Sequence, residues 1–311
     1  MSRVAVAHVF VATMGWAAAG GIAQTVQDAG TVKGKIVLFG KTNPTDSTTS
    51  LVKTMARDAS TETLSPIEFA VSSGRVSPDG RHFAYVAEHE GQAAIRLLSF
   101  GDRRKSSLRP TDNTAWIGGW SPDGTSIAFG CGRRGNRVNS ILNVNSKEVQ
   151  PIALPASELV WDWSPDGKEL LTISEPQTGQ PRQIQRAKLD GSGLVCLTDR
   201  TTDNILPRFS PDGRKVVFSS TRTRRAQVYV MDPDGKNVVQ LTSFKDRSSG
   251  PACWSPDGKE ICCRSYKTGP VDAEGNYTVS DGHLVLMNAD GTDPKDFLPP
   301  DGSLGWFFDW R

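Results

Sequence analysis

The amino-acid sequence predicts an all-β fold, a six-bladed β-propeller, on three observations. The tetrapeptide Ser-Pro-Asp-Gly begins at Ser77, Ser121, Ser164, Ser210 and Ser255, at intervals of 43 to 46 residues, the length of a four-stranded propeller blade. Each copy follows one script: an apolar segment before it, such as LVWDW, then three after it, such as KVVFSS, QVYVMD and VVQLT. Finally, the end of the chain, Trp306-Phe307-Phe308-Asp309-Trp310-Arg311, matches LVWDWS in register.

Residues 1–23 form the first element. Arg3, the mainly apolar run from Val4 to Ala19 and the small residues ending at Ala23 have the pattern of a secretory signal peptide cut after Ala23. The run falls short of the roughly 20 apolar residues a membrane span needs, so no stable membrane insertion is expected after cleavage. Residues 24–32 are a short N-terminal segment and residues 33–311 the propeller. The formal net charge is +2. A balance so close to neutral gives no reason to expect nucleic-acid binding.

Within the propeller, Gly34 to Phe39 read as a second strand, Ser50 to Met55 as a third and Thr63-Leu64 as the start of a fourth. They lack an innermost partner, and the C-terminal Trp306–Arg311 segment supplies it. The six blades are then 306–311 with 33–66, and about 70–110, 114–155, 158–198, 204–243 and 250–299. Closing the ring in this way removes the open sheet edges of a linear array.

Pro-Asp-Gly has a mechanical role in each turn. Pro presets φ at the first corner, Asp bonds the backbone ahead and Gly accepts the positive φ of a tight turn. A catalytic role would require five equivalent active sites. The residue before each turn is Val76, Trp120, Trp163, Phe209, Trp254 and, by extension, Trp310, expected to pack between blades. One position earlier stand Asp309, Arg75, Gly119, Asp162, Arg208 and Cys253 in blade order. Adjacent blades therefore pair Asp309 with Arg75 and Asp162 with Arg208, an expectation of two interblade ion pairs half a turn apart. The cysteines Cys131, Cys196, Cys253, Cys262 and Cys263 fit no zinc spacing and are read as small core residues, with Cys253 and Cys262 facing across one hairpin.

With FSPDG and WSPDG, the (I/V)-x-F second strand, VYVMDPDGK, LVLMNADGT and the Leu-Thr ending, the chain resembles the TolB-type, WD40-like (PD40) β-propellers from about residue 33 onward. That resemblance implies a periplasmic six-bladed propeller of the Tol-Pal cell-envelope system. The α/β domain through which TolB-type proteins reach TolA is not expected here, since roughly ten residues separate the signal pattern from the first strand. Only the propeller's role, binding the peptidoglycan-associated lipoprotein Pal, is then implied, and no Pal-contacting residue transfers by motif. PD40 propellers also precede the hydrolase domain of prolyl-oligopeptidase-like peptidases, a domain not expected after the closing strand.

Variable loops between second and third strands share one rim, opposite the tetrapeptide turns. They bring Arg133, Arg134, Arg137, Arg182, Arg222, Arg224 and Arg225 to one face of blades three to five. Guanidinium forks suit carboxylate or phosphate partners, so an anionic envelope protein or a cell-wall glycan fits this rim; a merely solvated rim is the alternative. After signal cleavage the histidines are His82, His89 and His283, with no spacing suited to a metal site or a Ser-His-Asp triad. Asp272, Glu274 and Asn276 resemble a fragment of a calcium loop but lack its closing Glu. No catalytic residue, metal or cofactor is assigned. The expectation is an exported, monomeric, non-enzymatic scaffold; a polysaccharide lyase or hydrolase working in the channel is the alternative.

Overall fold

Each tetrapeptide turn is a self-contained hydrogen-bond unit, which is why the strands end where they do. The Ser164 hydroxyl donates to Asp166 Oδ1 at 2.7 Å and accepts the Glu169 N–H at 2.9 Å. Asp166 Oδ1 also accepts the Lys168 N–H at 3.1 Å, and the Gly167 N–H closes on the Ser164 carbonyl at 2.9 Å. At Ser77, Ser121, Ser210 and Ser255 the same hydroxyl–carboxylate bond measures 2.6 Å. The turn glycines all have φ between +68° and +78°, a region that strains any residue bearing a Cβ.

In a computed structural model of the protein, the described residues are 34–41, 50–56, 61–67, 71–89, 92–111, 115–133, 135–175, 179–271, 277–297 and 307–310. They form six antiparallel four-stranded sheets. Blade one has β1 (Ile36–Lys41), β2 (Ser50–Met55) and β3 (Thr61–Ile67). Blade two has β4 (Val71–Val76), β5 (His82–His89), β6 (Gln92–Ser99) and β7 (Lys105–Thr111); blade three has β8 (Trp116–Trp120), β9 (Ser126–Cys131), β10 (Val138–Asn143) and β11 (Val149–Ile152). Blade four has β12 (Glu158–Trp163), β13 (Glu169–Ser174), β14 (Ile184–Lys188) and β15 (Val195–Cys196); blade five has β16 (Asn204–Phe209), β17 (Val216–Thr223), β18 (Arg225–Met231) and β19 (Val239–Gln240). Blade six has β20 (Ser248–Trp254), β21 (Glu260–Val271), β22 (Tyr277–Asn288) and β23 (Lys295–Phe297). The last strand, β24 (Phe307–Trp310), returns to blade one and pairs with β1, Ile36 opposite Trp310 and Val37 opposite Asp309. The ring is thus closed by its C-terminal strand. Residues 1–23, read above as a signal peptide, the segment 24–32, Arg134 and the Asp272, Glu274 and Asn276 pattern lie outside the described residues.

The core is distributed among the blades. Six apolar clusters among the described residues each join two neighbouring blades. Val76, Trp120, Trp163, Phe209, Trp254 and Trp310 sit one in each cluster, all less than 9% exposed. Burying side chains of this size contributes roughly 1.5–3 kcal/mol apiece, so the residue before the turn is a main fastener between blades. Cys253, Cys262 and Cys263 are buried in the same clusters. Burial pushes the Cys263 thiol up to about 12 and Cys262 well above its ordinary value, which keeps both protonated.

The turns also touch one another. An ideal Cβ on Gly124 would lie 3.8 Å from Pro78 Cδ, on Gly167 3.8 Å from Pro122, on Gly213 3.6 Å from Pro165 and on Gly258 3.6 Å from Pro211. Four of the five turn glycines thus face the proline of the preceding blade, and the tetrapeptides of blades two to six stack head to tail. This contact between units does not follow from any single copy of the motif.

Inner strands β4, β8, β12, β16 and β20 share a second device. Each shifts register against its neighbour between Val71/Ser73, Ile117/Gly119, Val160/Asp162, Ile205/Arg208 and Ser249/Ala252 respectively. Irregularities of this kind bend a strand and re-aim its side chains. In four of the five they fall immediately before the position two residues ahead of the turn, or at it, and in two of those, Asp162 and Arg208, the residue there is charged.

Candidate functional site

Two groups of charged side chains stand out, one at the ring axis near the turns and one on the rim. At the axis, Arg208 Nη1 lies 3.8 Å from Asp162 Oδ1 and 3.7 Å from Asp309 Oδ1. Asp162 belongs to the adjacent blade four, but Asp309 belongs to blade one, beyond blade six. One guanidinium therefore links two blades and the closing strand. Arg75 donates from Nε to the Gly118 carbonyl at 3.1 Å and from Nη1 to the Gly74 carbonyl at 3.0 Å, with its guanidinium 5.7 Å from the Trp161 ring centroid. Gly119 leaves room for this arrangement, since a Cβ there would stand 3.3 Å from Asp162 Oδ1.

The two aspartates do the same backbone work half a turn apart. Asp309 Oδ2 accepts the Val76 N–H at 3.0 Å, and Asp162 Oδ2 accepts the Phe209 N–H at 2.8 Å. On the far side of each arginine, Trp120 Nε1 donates to the Arg75 carbonyl at 3.0 Å and Trp254 Nε1 to the Arg208 carbonyl at 3.3 Å. Blades one to three and four to six thus repeat one Asp–Arg–Trp relay. All four charged residues are at most 9% exposed. Buried charges of this kind specify an arrangement more than they stabilise it, because desolvation offsets much of their attraction.

On the rim the arginines divide into two sets. Arg137 forms an ion pair with Glu175 of blade four, and its guanidinium lies 5.4 Å from the Trp116 ring centroid. Arg182 approaches Asp203 Oδ1 with its backbone N–H at 2.7 Å and its Nε at 3.3 Å, joining blade four to the segment that enters blade five. Arg222 donates to Asn204 Oδ1 at 3.2 Å and Ser220 Oγ at 3.0 Å, and lies over Tyr229 at 4.6 Å. These three act within the fold. Arg133, Arg224 and Arg225 are exposed, with Arg225 Nη1 3.4 Å from Thr268 Oγ1 of blade six.

Several rim residues carry a role that the sequence pattern did not single out. Gln227 Oε1 accepts the Thr242 hydroxyl at 2.8 Å and the Phe244 N–H at 3.2 Å, while Nε2 donates to the Arg247 carbonyl at 2.9 Å. Gln183 does the same one blade earlier, accepting from Thr198 at 2.5 Å and the Arg200 N–H at 2.9 Å and donating to the Thr202 carbonyl at 2.9 Å. Each glutamine staples the interblade loop to the head of the third strand. The available signal was a Gln opening that strand followed by the Leu-Thr ending. Glu158, 2% exposed, accepts from Thr172 Oγ1 at 2.7 Å and Gln185 Nε2 at 2.8 Å. Burial raises its pKa, an effect these bonds oppose.

A ring of six four-stranded blades, with tetrapeptide turns on one face and variable loops on the other, defines a TolB-like β-propeller scaffold. No family model matches the chain. Over 206 residues it is 33% identical to Uncharacterized protein Atu1656 of Agrobacterium fabrum (strain C58), a match covering 61% of this chain and 68% of that protein. The chain belongs to one family with it. It is also similar to the Protein TolB homolog of Chlorobium luteolum, 26% identical over 160 residues. That match covers 51% of this chain and 36% of the relative, so it spans about a third of the relative's length. Among solved structures, TolB from Acinetobacter baumannii superposes with a TM-score of 0.66 at 21% identity, covering 83% of this chain and 62% of that one. At that identity the likeness is one of fold.

Proposed function

We propose that this chain is an exported, non-enzymatic propeller that binds an anionic partner of the cell envelope, a protein or a cell-wall glycan, on the rim of blades three to five. The observation that carries the reading is the division of the rim arginines. Arg137, Arg182 and Arg222 are engaged by the fold, whereas Arg133, Arg224 and Arg225 are exposed. Exposed guanidinium groups attract carboxylates or phosphates and contribute chiefly to encounter rate and salt dependence. Export rests on the sequence pattern of residues 1–23, and the envelope setting on the TolB-like relatives.

The test is crosslinking and affinity capture of the mature chain from its own cell envelope, repeated with Arg133→Glu, Arg224→Glu and Arg225→Glu combined. Capture of the partner falls roughly tenfold and becomes less salt-sensitive. Undiminished capture by the triple variant removes the rim reading. Export is tested separately by the N-terminus of the secreted chain, expected at Gln24.

A further inference from the structure

We infer that His283 is a pH-operated latch on the long hairpin of blade six. Strands β21 and β22 run for 12 residues each, whereas β1 to β20 have 8 or fewer. The additional length forms a stem beyond the row in which Ser249, Ser265 and His283 face one another. Three contacts tie this region to blade five and the loop that follows it. Lys267 Nζ lies 3.8 Å from Asp246 Oδ2, Arg225 Nη1 lies 3.4 Å from Thr268 Oγ1, and Arg247 Nη1 lies 3.2 Å from His283 Nδ1.

The third contact sets the protonation state of the ring. Arginine has donors and no acceptor, so Nδ1 of His283 must accept. The ring proton then sits on Nε2, which donates to Asp296 Oδ1 at 3.0 Å. Both nitrogens are occupied by a neutral imidazole. A second proton can enter only at Nδ1, and it would place two donors and two positive charges face to face across 3.2 Å. The imidazolium keeps Asp296 and loses Arg247. His283 is 8% exposed, but the Asp296 side chain is 71% exposed, so the ring has a neighbour in contact with solvent.

The charged groups around the ring act in both directions. Asp296 on β23 favours the imidazolium, while Arg247 opposes it. Lys245 is exposed in the loop preceding Arg247, and Asp246 is engaged with Lys267 of the stem. Lys295 on β23 is held by Asp293 at 2.6 Å, and the side chain opposite on β21 is the uncharged Ser265. The direction follows from the hydrogen-bond geometry alone: the Arg247 contact is lost on the acid side. Acidification thus loosens the stem and adds a positive charge at its base. The consequence for rim charge rests on the rim-binding reading, whereas the latch can be observed with no partner present.

Amide hydrogen exchange of the mature chain, compared at about pH 7.5 and about pH 5.5 after correction for intrinsic rates, tests the latch directly. Amides of residues 266–271 and 277–283 exchange about fivefold or more faster at the lower pH, relative to the rest of blade six. In His283→Gln the amide oxygen accepts from Arg247 and the amide nitrogen donates to Asp296 at either pH, so the step disappears. In Arg247→Gln the stem exchanges fast at both pH values, which carries the test if His283→Gln fails to fold. No step in the unmodified chain, or the same step in either variant, overturns the inference. Either outcome leaves the capture experiment with Arg133, Arg224 and Arg225 unaffected.

Discussion

The two faces of the ring solve the same problem in opposite ways. On the turn face one unit of Ser, Pro, Asp and Gly is built five times, and each copy meets the next through a glycine–proline contact. On the rim one device recurs, the Gln183 and Gln227 staples, but the charged contacts change from place to place: Arg137 with Glu175, Arg182 with Asp203, His283 with Arg247 and Asp296. A repeated turn needs only local chemistry. The rim must satisfy loops of differing length, and that freedom is why propeller loops can diverge to hold different partners.

The largest effect expected within this comparison comes from packing on the turn face. Gly235 has φ +84°, and a Cβ there would stand 2.5 Å from the Leu197 carbonyl oxygen of the preceding blade. Gly235→Ala therefore combines backbone strain with a clash against main chain, and costs about 3 kcal/mol. Gly213→Ala meets only an ordinary contact at 3.6 Å and costs about 1 kcal/mol, from φ alone. Urea midpoints of the two variants measure the difference; equal losses would mean that the turns are not packed between blades.

Next in size is the rim. Gln227→Ala removes the acceptor of the Phe244 N–H and the donor to the Arg247 carbonyl, both half-buried, and one partner of the buried Thr242 hydroxyl, which keeps Ser249 Oγ at 2.6 Å. The expected loss is about 2–3 kcal/mol, with faster amide exchange confined to residues 242–249. A loss spread evenly over the ring would show that the staple is not local.

The smallest effect separates the faces by the sign of its pH dependence. Asp123, Asp166 and Asp212 are held below the ordinary carboxylate range, first by the serine hydroxyl and then by a backbone N–H. A carboxyl lowered in this way stabilises the fold above its unfolded pKa and loses that contribution as pH falls through the folded value. Glu158, raised by burial, does the reverse: its contribution is present at low pH and lost as pH rises through its folded value. Asp212→Asn therefore flattens the stability profile below about pH 4, and Glu158→Gln flattens it above about pH 4.5. Denaturation midpoints across that range decide it, since profiles that shift the same way in both variants contradict the assignment.

Much of the fold is legible in the residues themselves because a tight turn is local. Pro-Asp-Gly dictates its own geometry, and the apolar residue before it marks the inner strand in five blades, with Trp310 matching it by pattern in the sixth. The site is less legible. Alignment of the repeats places Asp162, Arg208, Asp309 and Arg75 at one level, but the bond from Arg208 to Asp309 spans blades that are not adjacent. Counting positions cannot reveal it, because the register shifts at Val160/Asp162 and Ile205/Arg208 reset where those side chains point. Seven rim arginines look equivalent in the sequence, yet three are consumed by Glu175, Asp203 and Asn204.

By itself the sequence determined the number of blades, the position of each turn and the strand that closes the ring, since a tight turn is local chemistry and the repeated pattern, matched again by Phe308-Asp309-Trp310, supplies the rest. Only the tertiary structure decided which charges meet across the axis, which arginines remain exposed and what holds His283. Those outcomes depend on distances between residues from different blades, which are set by the closing of the ring as a whole.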